Sequence, residues 1–214
     1  MPDRLYDSNS WSVSSNASHC DRYGCNPCCS LHRLGRHEKS KNDTSDSSEG
    51  DHMRSETLTN DYWDVVGALW DVIEIYEGPE TFQQTYNSVP KEWGLVFAAH
   101  SCQQEVCFGG FEQFFWNPAG VLAREAVEGF RELGLPQLAA LVQEAMDLLG
   151  SPYPSDRNER KSRLSLVPKG HLDVLDETFY ALVALEQGGF RAAANRYVEQ
   201  MRIMNRDSSK LDCA

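Results

Sequence analysis

A glycine pair beside a dense group of aromatic residues is the feature that most constrains how this chain folds. The stretch FGGFEQFFWNPAG holds five aromatic residues within nine positions. Phe111, Phe114 and Phe115 follow the i, i+3, i+4 spacing of one helix face, which predicts a single buried cluster of rings. Gly109 and Gly110 allow a sharp reversal of the backbone just before that cluster. The fold therefore needs a core that encloses three phenylalanine rings at one place.

The remaining apolar pattern is helical and begins near Leu58. Apolar residues recur at steps of three and four in segments that glycine and proline separate, and no segment alternates like a strand. We predict about six helices and one short helical turn, which is the third of seven segments counted along the chain, at residues 60–77, 93–106, 111–116, 117–133, 136–149, 171–187 and 190–204. Residues 150–169 are expected to form a polar loop. The predicted fold is a compact, acidic, all-α multi-helix domain.

Particular side chains are expected at the caps and in the core of these helices. Thr59 or Asn60 is the expected cap of the first helix, and Asn117 that of the helix whose first position is Pro118. The first helix is expected to bury an apolar stripe of Tyr62, Val66, Leu69, Ile73 and Tyr76. The fifth is expected to bury Leu138, Leu141, Val142, Ala145, Leu148 and Leu149.

Composition divides the chain into a domain and two tails. Residues 1–56 are rich in Ser, Asn and Asp without helical or alternating periodicity, which predicts a disordered tail. The helical domain is expected to span 57–206, and 207–214 form a short C-terminal tail. The first tail holds one C-x2-C pair, and Met53 is an alternative start. We expect no metal site there because the usual second pair is missing; the alternative is one zinc ion bound by Cys20, Cys25, Cys28 and Cys29.

The acidic charge is concentrated in the middle of the chain. The net charge is −12, and residues 57–150 contain 14 acids against three bases. A field of this sign repels nucleic acid and attracts basic surfaces, so we expect no direct nucleic-acid binding. No apolar run approaches the length of a membrane span and no signal peptide is recognisable, so we expect a cytoplasmic protein that does not bind membranes.

Helical phase places the middle-segment acids on three solvent-facing surfaces. Like charges at i, i+3 and i, i+4 repel one another, and natural helix faces usually mix both signs. Either these acids are an ordinary solvated surface or they form a partner-binding face. The candidate residues are Asp64, Asp71 and Glu74 on the first helix, Glu125, Glu128 and Glu132 on the fourth, and Glu144 and Asp147 on the fifth.

No group of residues in the sequence predicts catalysis. His100 and Cys102 are about 200° apart on one helix, so they cannot meet as base and nucleophile. Acids near His171, such as Asp173 and Asp176, are expected in a helix's first turn from the helix dipole alone. Phosphate-binding loops and hydrolase motifs are absent from the sequence. We therefore expect neither an enzyme nor a cofactor.

The opening stretch resembles the signature of a bacterial family of small all-helical domains whose named member is a DNA-mimic protein. That signature has a helix ending in Asn-Gly-Gly-Phe, then Gln-Phe-Phe, an Asn and a Gly. The matching residues here are Gly109, Gly110, Phe111, Gln113, Phe114, Phe115, Asn117 and Gly120, whereas Phe108 replaces the usual first Asn. LDETFYAL at 175–182 is similar to a later family motif, and a looser similarity covers 57–206.

The resemblance implies an acidic protein, commonly a homodimer, whose carboxylates imitate DNA phosphates. Such a protein occupies the DNA-binding face of a repressor or nucleoid protein. Most family members have no assigned role. An alternative is an acidic binding module for another basic partner, such as a toxin or ribosomal protein, without DNA mimicry.

The aromatic cluster is expected to contribute to folding. Replacing Phe114 with Ala removes a buried ring, so the free energy of unfolding should fall by about 3 to 5 kcal/mol. Chemical denaturation monitored by circular dichroism measures this change. An unchanged free energy of unfolding would mean that the ring is exposed and would favour a ligand-binding role for the cluster.

Overall fold

The computed structural model describes residues 61–211, and its side chains up to residue 206. All regular structure in this range is helical, which confirms the all-α prediction. The α-helices are α1 Trp63–Leu69, α2 Pro79–Tyr86, α3 Lys91–Trp116, α4 Ala123–Glu132, α5 Pro136–Asp147, α6 Arg157–Leu164, α7 His171–Leu185 and α8 Phe190–Leu211. Short 3-10 helices occupy Pro118–Leu122 and Glu186–Gly188.

Helix α3 is the centre of the fold. It packs against α1, α4, α6 and α7, and residues 94–103 are buried without interruption. A helix that is enclosed on all sides needs small or apolar residues around its whole circumference. The run from Leu95 to Ala99, which reads LVFAA, meets this requirement. Within the described range, no helix is both long and apolar enough to cross a membrane.

The single helix predicted over residues 60–77 is wrong, because α1 is much shorter. After α1 the chain buries Ile73 and Ile75 while Glu74 between them is exposed. This alternation is typical of extended backbone rather than of a helix. Tyr76, which was expected in the buried stripe, is 72% exposed. The apolar residues of this segment are compatible with the helical period of about 3.6 residues and with the two-residue period of extended backbone. In the structure, Ile73 and Ile75 follow the two-residue period.

Two helices were not predicted. Helix α2 begins with Pro79 at its first turn, directly after Gly78 with φ of 94°. Helix α6 lies inside the predicted polar loop, and the Asp156 side chain caps it by accepting a 2.8 Å hydrogen bond from the Glu159 amide. The core-facing side of α6 includes Arg160, which is 1% exposed. Apolar periodicity cannot detect a helix that buries an arginine.

The later helices also differ in detail from the prediction. Leu148, which was expected in the core, is 38% exposed at the end of α5, directly after Asp147. Helix α8 extends to Leu211, beyond the end predicted at residue 204. The start of α5 is capped from a distance by Glu186, whose carboxylate accepts hydrogen bonds of 2.9 and 3.0 Å from the amides of Gln137 and Leu138.

His100 is a core residue. It is fully buried in α3, its ring centroid lies 4.5 Å from that of Trp63, and the Tyr62 hydroxyl lies 3.4 Å from its Nδ1. Burial lowers the pKa of the imidazole to about 4, from an ordinary 6.5. The folded protein therefore holds His100 neutral at a pH where the unfolded chain protonates it.

This burial makes stability depend on pH. A base whose pKa is lowered by folding contributes full stability above pH 6.5 and loses it as pH falls towards 4. We expect a loss of about 3 kcal/mol in the free energy of unfolding across this window.

The measurement is urea denaturation of the wild type and of His100→Gln at several pH values. Contributions from other groups cancel in the difference between the two proteins. That difference should change between pH 6.5 and 4 and be flat above pH 6.5. A difference that is flat throughout would contradict the burial of a neutral imidazole.

Candidate acidic interaction surface

The acids on and near α1 lie beside bases of α8. Asp64 Oδ2 is 3.7 Å from Arg202 Nη2, and Asp61 forms an ion pair with Arg191. These contacts join the acidic middle segment to the more basic C-terminal segment. The negative charge of α1 is therefore partly balanced within the fold.

Asp64, Asp71 and Glu74 do not share one helix face. All three are exposed, but α1 ends at Leu69, so helical phase does not relate the last two residues to the first. The expected grouping of these acids was wrong for the same reason as the expected length of the helix.

Acids from two helices come together where α3 begins and α4 passes it. Glu92 lies in the first turn of α3, and Glu128 and Glu132 lie in α4. Burial, followed by the charges of these three residues, raises the pKa of Tyr197 on α8. Lys91 Nζ forms a 2.5 Å ion pair with Glu128 Oε1. We call Glu92, Glu128 and Glu132 the acidic ridge.

Helical phase missed Glu92, because the predicted helix began at residue 93 whereas α3 begins at Lys91. It also wrongly made Glu125 a surface residue. Most of the Glu125 side chain is buried, its Oε2 has no hydrogen-bond partner among the described residues, and burial raises its pKa. Glu144 and Asp147 are exposed on α5, where Asp147 accepts a 2.9 Å hydrogen bond from Gln143.

The phenylalanines of the glycine-aromatic motif form one buried cluster. Phe111, Phe114 and Phe115 are fully buried. The rings of Phe111 and Phe115 are 5.9 Å apart, and Phe179 of α7 meets Phe111 edge to face at 5.3 Å. Phe179 belongs to the second family-like motif, so the two motifs contact each other.

The polar residues of the motif bind to one carboxylate. Glu105 Oε2 accepts hydrogen bonds from Gln113 Nε2 at 3.0 Å and from Asn117 Nδ2 at 2.8 Å. The Asn117 side chain therefore does not cap the following helix, as the sequence had suggested, although Pro118 does take the first helical position. Instead, the Asn117 side chain joins the C-terminal end of α3 to Glu105 in the middle of the same helix.

As the sequence predicted, the glycine pair breaks the helix, so that α3 consists of two helical parts that meet at a kink. Gly109 and Gly110 have non-helical backbone angles, and Gly110 has φ of 75°, a value that side chains disfavour. The interruption leaves the Phe111 amide without its helical partner, and Asp176 Oδ1 accepts its hydrogen bond at 2.8 Å. Burial raises the pKa of Asp176 to about 6, the hydrogen bond from Phe111 opposes the rise, and nearby acids, with Asp173 first, add to it.

Arg160 satisfies the carbonyl groups at the other end of α3. Its guanidinium donates to the carbonyl oxygens of Phe115 at 3.2 Å, Asn117 at 3.1 Å and Ser155 at 2.6 Å. A cation at a helix C-terminus is favoured by the helix dipole. An ideal Cβ at Gly120 would lie 2.8 Å from both Arg160 Nε and the Phe114 carbonyl oxygen, so only glycine fits at this contact.

The described residues contain no cluster of His, Cys, Asp and Glu that could hold a metal ion. The four cysteines considered for zinc lie outside the described residues. His100 and Cys102 are both fully buried, and burial raises the pKa of the Cys102 thiol.

Gly120 provides a test of the contact with Arg160. Gly120→Ala should lower the free energy of unfolding by about 1 to 3 kcal/mol, because the new methyl group meets backbone and guanidinium atoms. Gly67→Ala is the matched control, since nothing lies within 4 Å of its ideal Cβ. That change should raise stability by about 0.5 to 1 kcal/mol through helix propensity. Thermal and chemical denaturation of both variants measure the two effects, and equal effects would contradict the close contact.

Comparison with known proteins gives one family. The family model described as DMP19-like protein matches residues 87–201, which is more than half of the chain and includes both motifs. Neither the curated proteins nor the solved structures contain a match. The matched region runs from just before α3 into α8 and so covers α3 to α7 in full. The chain therefore belongs to the DMP19-like protein family.

Proposed function

We propose that this protein is a non-catalytic interaction module that acts as a DNA mimic. In this proposal its carboxylates occupy the DNA-binding face of a transcription regulator or nucleoid protein. The observation that carries it is the acidic ridge, where acids from two helices gather around a single lysine in a member of the DMP19-like family. Membership of a DNA-mimic family supports the same function.

The physical basis is charge spacing. Duplex DNA carries one negative charge per about 1.7 Å of axis. A helix with acids every three to four residues offers one charge per about 5 Å along one face. Acids from neighbouring helices raise this density, and the ridge combines α3 with α4. Glu144 and Asp147, together with exposed Asp64, Asp71 and Glu74, extend the proposed face. Glu125 belongs to the proposed face with a side chain that is mostly buried.

We further propose that the protein is cytoplasmic and a homodimer, as the resemblance to DNA mimics implies. The alternative, a module for another basic protein, uses the same carboxylates. The two functions differ in whether duplex DNA competes for the captured partner.

The test is capture of partners by the full-length protein from nuclease-treated lysate, followed by elution with salt or with duplex DNA. A DNA-binding protein that both salt and DNA release is the expected result, since binding driven by charge falls steeply with salt. A basic protein that DNA does not release would support the alternative function. Retention of nothing basic even at low salt would contradict both functions and leave the acids as a solvated surface.

Charge-reversal variants then test which carboxylates form the proposed partner-binding face. Glu128→Lys combined with Glu132→Lys should reduce the affinity for the captured partner by about 100-fold or more, because each reversal replaces an attraction with a repulsion. Asp173→Lys with Glu112→Lys is the matched control, as it changes net charge equally near Asp176. Equal loss in both variants would indicate a general charge effect instead of a specific face.

A further inference from the structure

A cleft lies between the end of α4 and the first half of α8, and its volume is about 320 Å³. The buried residues that line it are Leu133, Ala193 and Tyr197. Its exposed edge is polar and includes Glu132 and Arg196. Ligand pockets measure ~300 to 1,000 Å³, so this cleft suits an occupant no larger than one long side chain. We call it the α4–α8 cleft.

One wall of the cleft is held in a strained conformation. Gln187, which lines the cleft, has φ of 55° and ψ of 27°, angles that residues other than glycine rarely adopt. Its carbonyl oxygen accepts a 3.0 Å hydrogen bond from Arg196 Nη2. Strained residues persist only where their surroundings hold them, and they often lie at binding sites. The hydrogen bond also directs the Arg196 guanidinium towards this wall.

The Glu132 side of the cleft is negative. Glu132 belongs to the acidic ridge, where the base Lys91 forms its ion pair with Glu128. Burial raises the pKa of Tyr197, and the charges of Glu132, Glu92 and Glu128 add to this effect in that order. An occupant of the cleft therefore meets one lining carboxylate, and the charges of two further acids act on the same place.

We propose that the α4–α8 cleft binds the side chain of one lysine from the basic protein partner, with the ammonium at Glu132 and the methylene chain against Leu133 and Ala193. This inference rests on the proposed function for the source of the lysine. A lysine suits both parts of the cleft, because its four-carbon chain covers apolar surface while its charged end stays at the polar edge. The ammonium has three donors, and the exposed Glu132 carboxylate is an acceptor that it can reach.

The test is an NMR titration of the full-length protein with N-acetyl-lysine methylamide, which follows the Glu132 carboxyl carbon and the methyl groups of Leu133 and Ala193. We expect saturable shifts at all three residues. N-acetyl-norleucine methylamide has the same carbon chain without the ammonium and should cause no saturable shift at Glu132. Shifts of equal size with the two compounds, or no saturable shift with the lysine compound, would overturn the proposal.

Two exposed acids separate the cleft from general acidity. Glu132→Gln should weaken binding of the lysine compound by about tenfold or more, since it removes the charge and keeps the shape. Glu144→Gln is the matched control, because Glu144 is an exposed acid of α5 that does not line the cleft, and it should leave binding nearly unchanged. Unchanged binding in Glu132→Gln, or an equal loss in both variants, would overturn the proposal.

Arg196→Gln tests which group of the ligand the cleft recognises. The change removes a positive charge from the edge of the cleft and keeps a donor for the Gln187 carbonyl. Binding of the lysine compound should become tighter and should not weaken, because a like charge no longer opposes the ammonium. Weaker binding would mean that Arg196 holds the ligand through its carbonyl groups, and it would overturn the proposal.

Failure of this inference is distinguishable from failure of the proposed function, because the titration uses the lysine compound alone. If a DNA-binding protein is captured but the lysine compound does not bind, the assignment of the cleft is wrong and the mimicry stands. If the lysine compound binds and no partner is captured, the lysine site stands without a DNA-binding partner.

Discussion

Helix α3 is enclosed by its neighbours, and the rest of the structure depends on satisfying its backbone where it is interrupted and where it ends. A buried amide or carbonyl group without a partner costs free energy comparable to a lost hydrogen bond. At the glycine pair the amide of Phe111 is satisfied by Asp176, and at the C-terminus Arg160 satisfies the carbonyl groups of Phe115 and Asn117. Helices α6 and α7 thus provide the polar groups that an apolar central helix lacks.

The charges of this protein are arranged unevenly in space as well as along the sequence. Near α1, the bases of α8 lie next to acids and reduce their net effect. Along the acidic ridge, Lys91 forms an ion pair with Glu128, and the charges of Glu132 and Glu92 also act on it. The electrostatic field therefore differs between these two places, and at the ridge several acids share one base.

The fold class and most of the core could be predicted from the sequence, because helical spacing of apolar residues and glycine or proline breaks are local signals. What could not be predicted depends on distant partners. Ile73 and Ile75 suit either period, and only the packing around them decides between helix and extended chain. Arg160 looks like a surface residue until the carbonyl groups of α3 are placed beside it.

The candidate site could be predicted only in part, because the burial of its acids also depends on distant residues. Helical phase placed Glu128 and Glu132 on one face, and both stay near the surface. Phase could not show that most of the Glu125 side chain, one turn earlier, is buried, since burial depends on how distant helices pack. Asn117 was likewise assigned to a cap because its true partner, Glu105, is reached only through the folding of α3 on itself.

The hydrogen bond from Phe111 to Asp176 joins residues that are 65 positions apart. Within one helix an amide is protected from exchange with solvent by a neighbour four residues away, but this amide depends on the docking of α7. Its exchange rate therefore reports the association of two distant segments instead of local helix fraying. The ordering of the turn at the glycine pair is in this sense a long-range event, and it is complete only when the C-terminal half of the chain has folded against the centre.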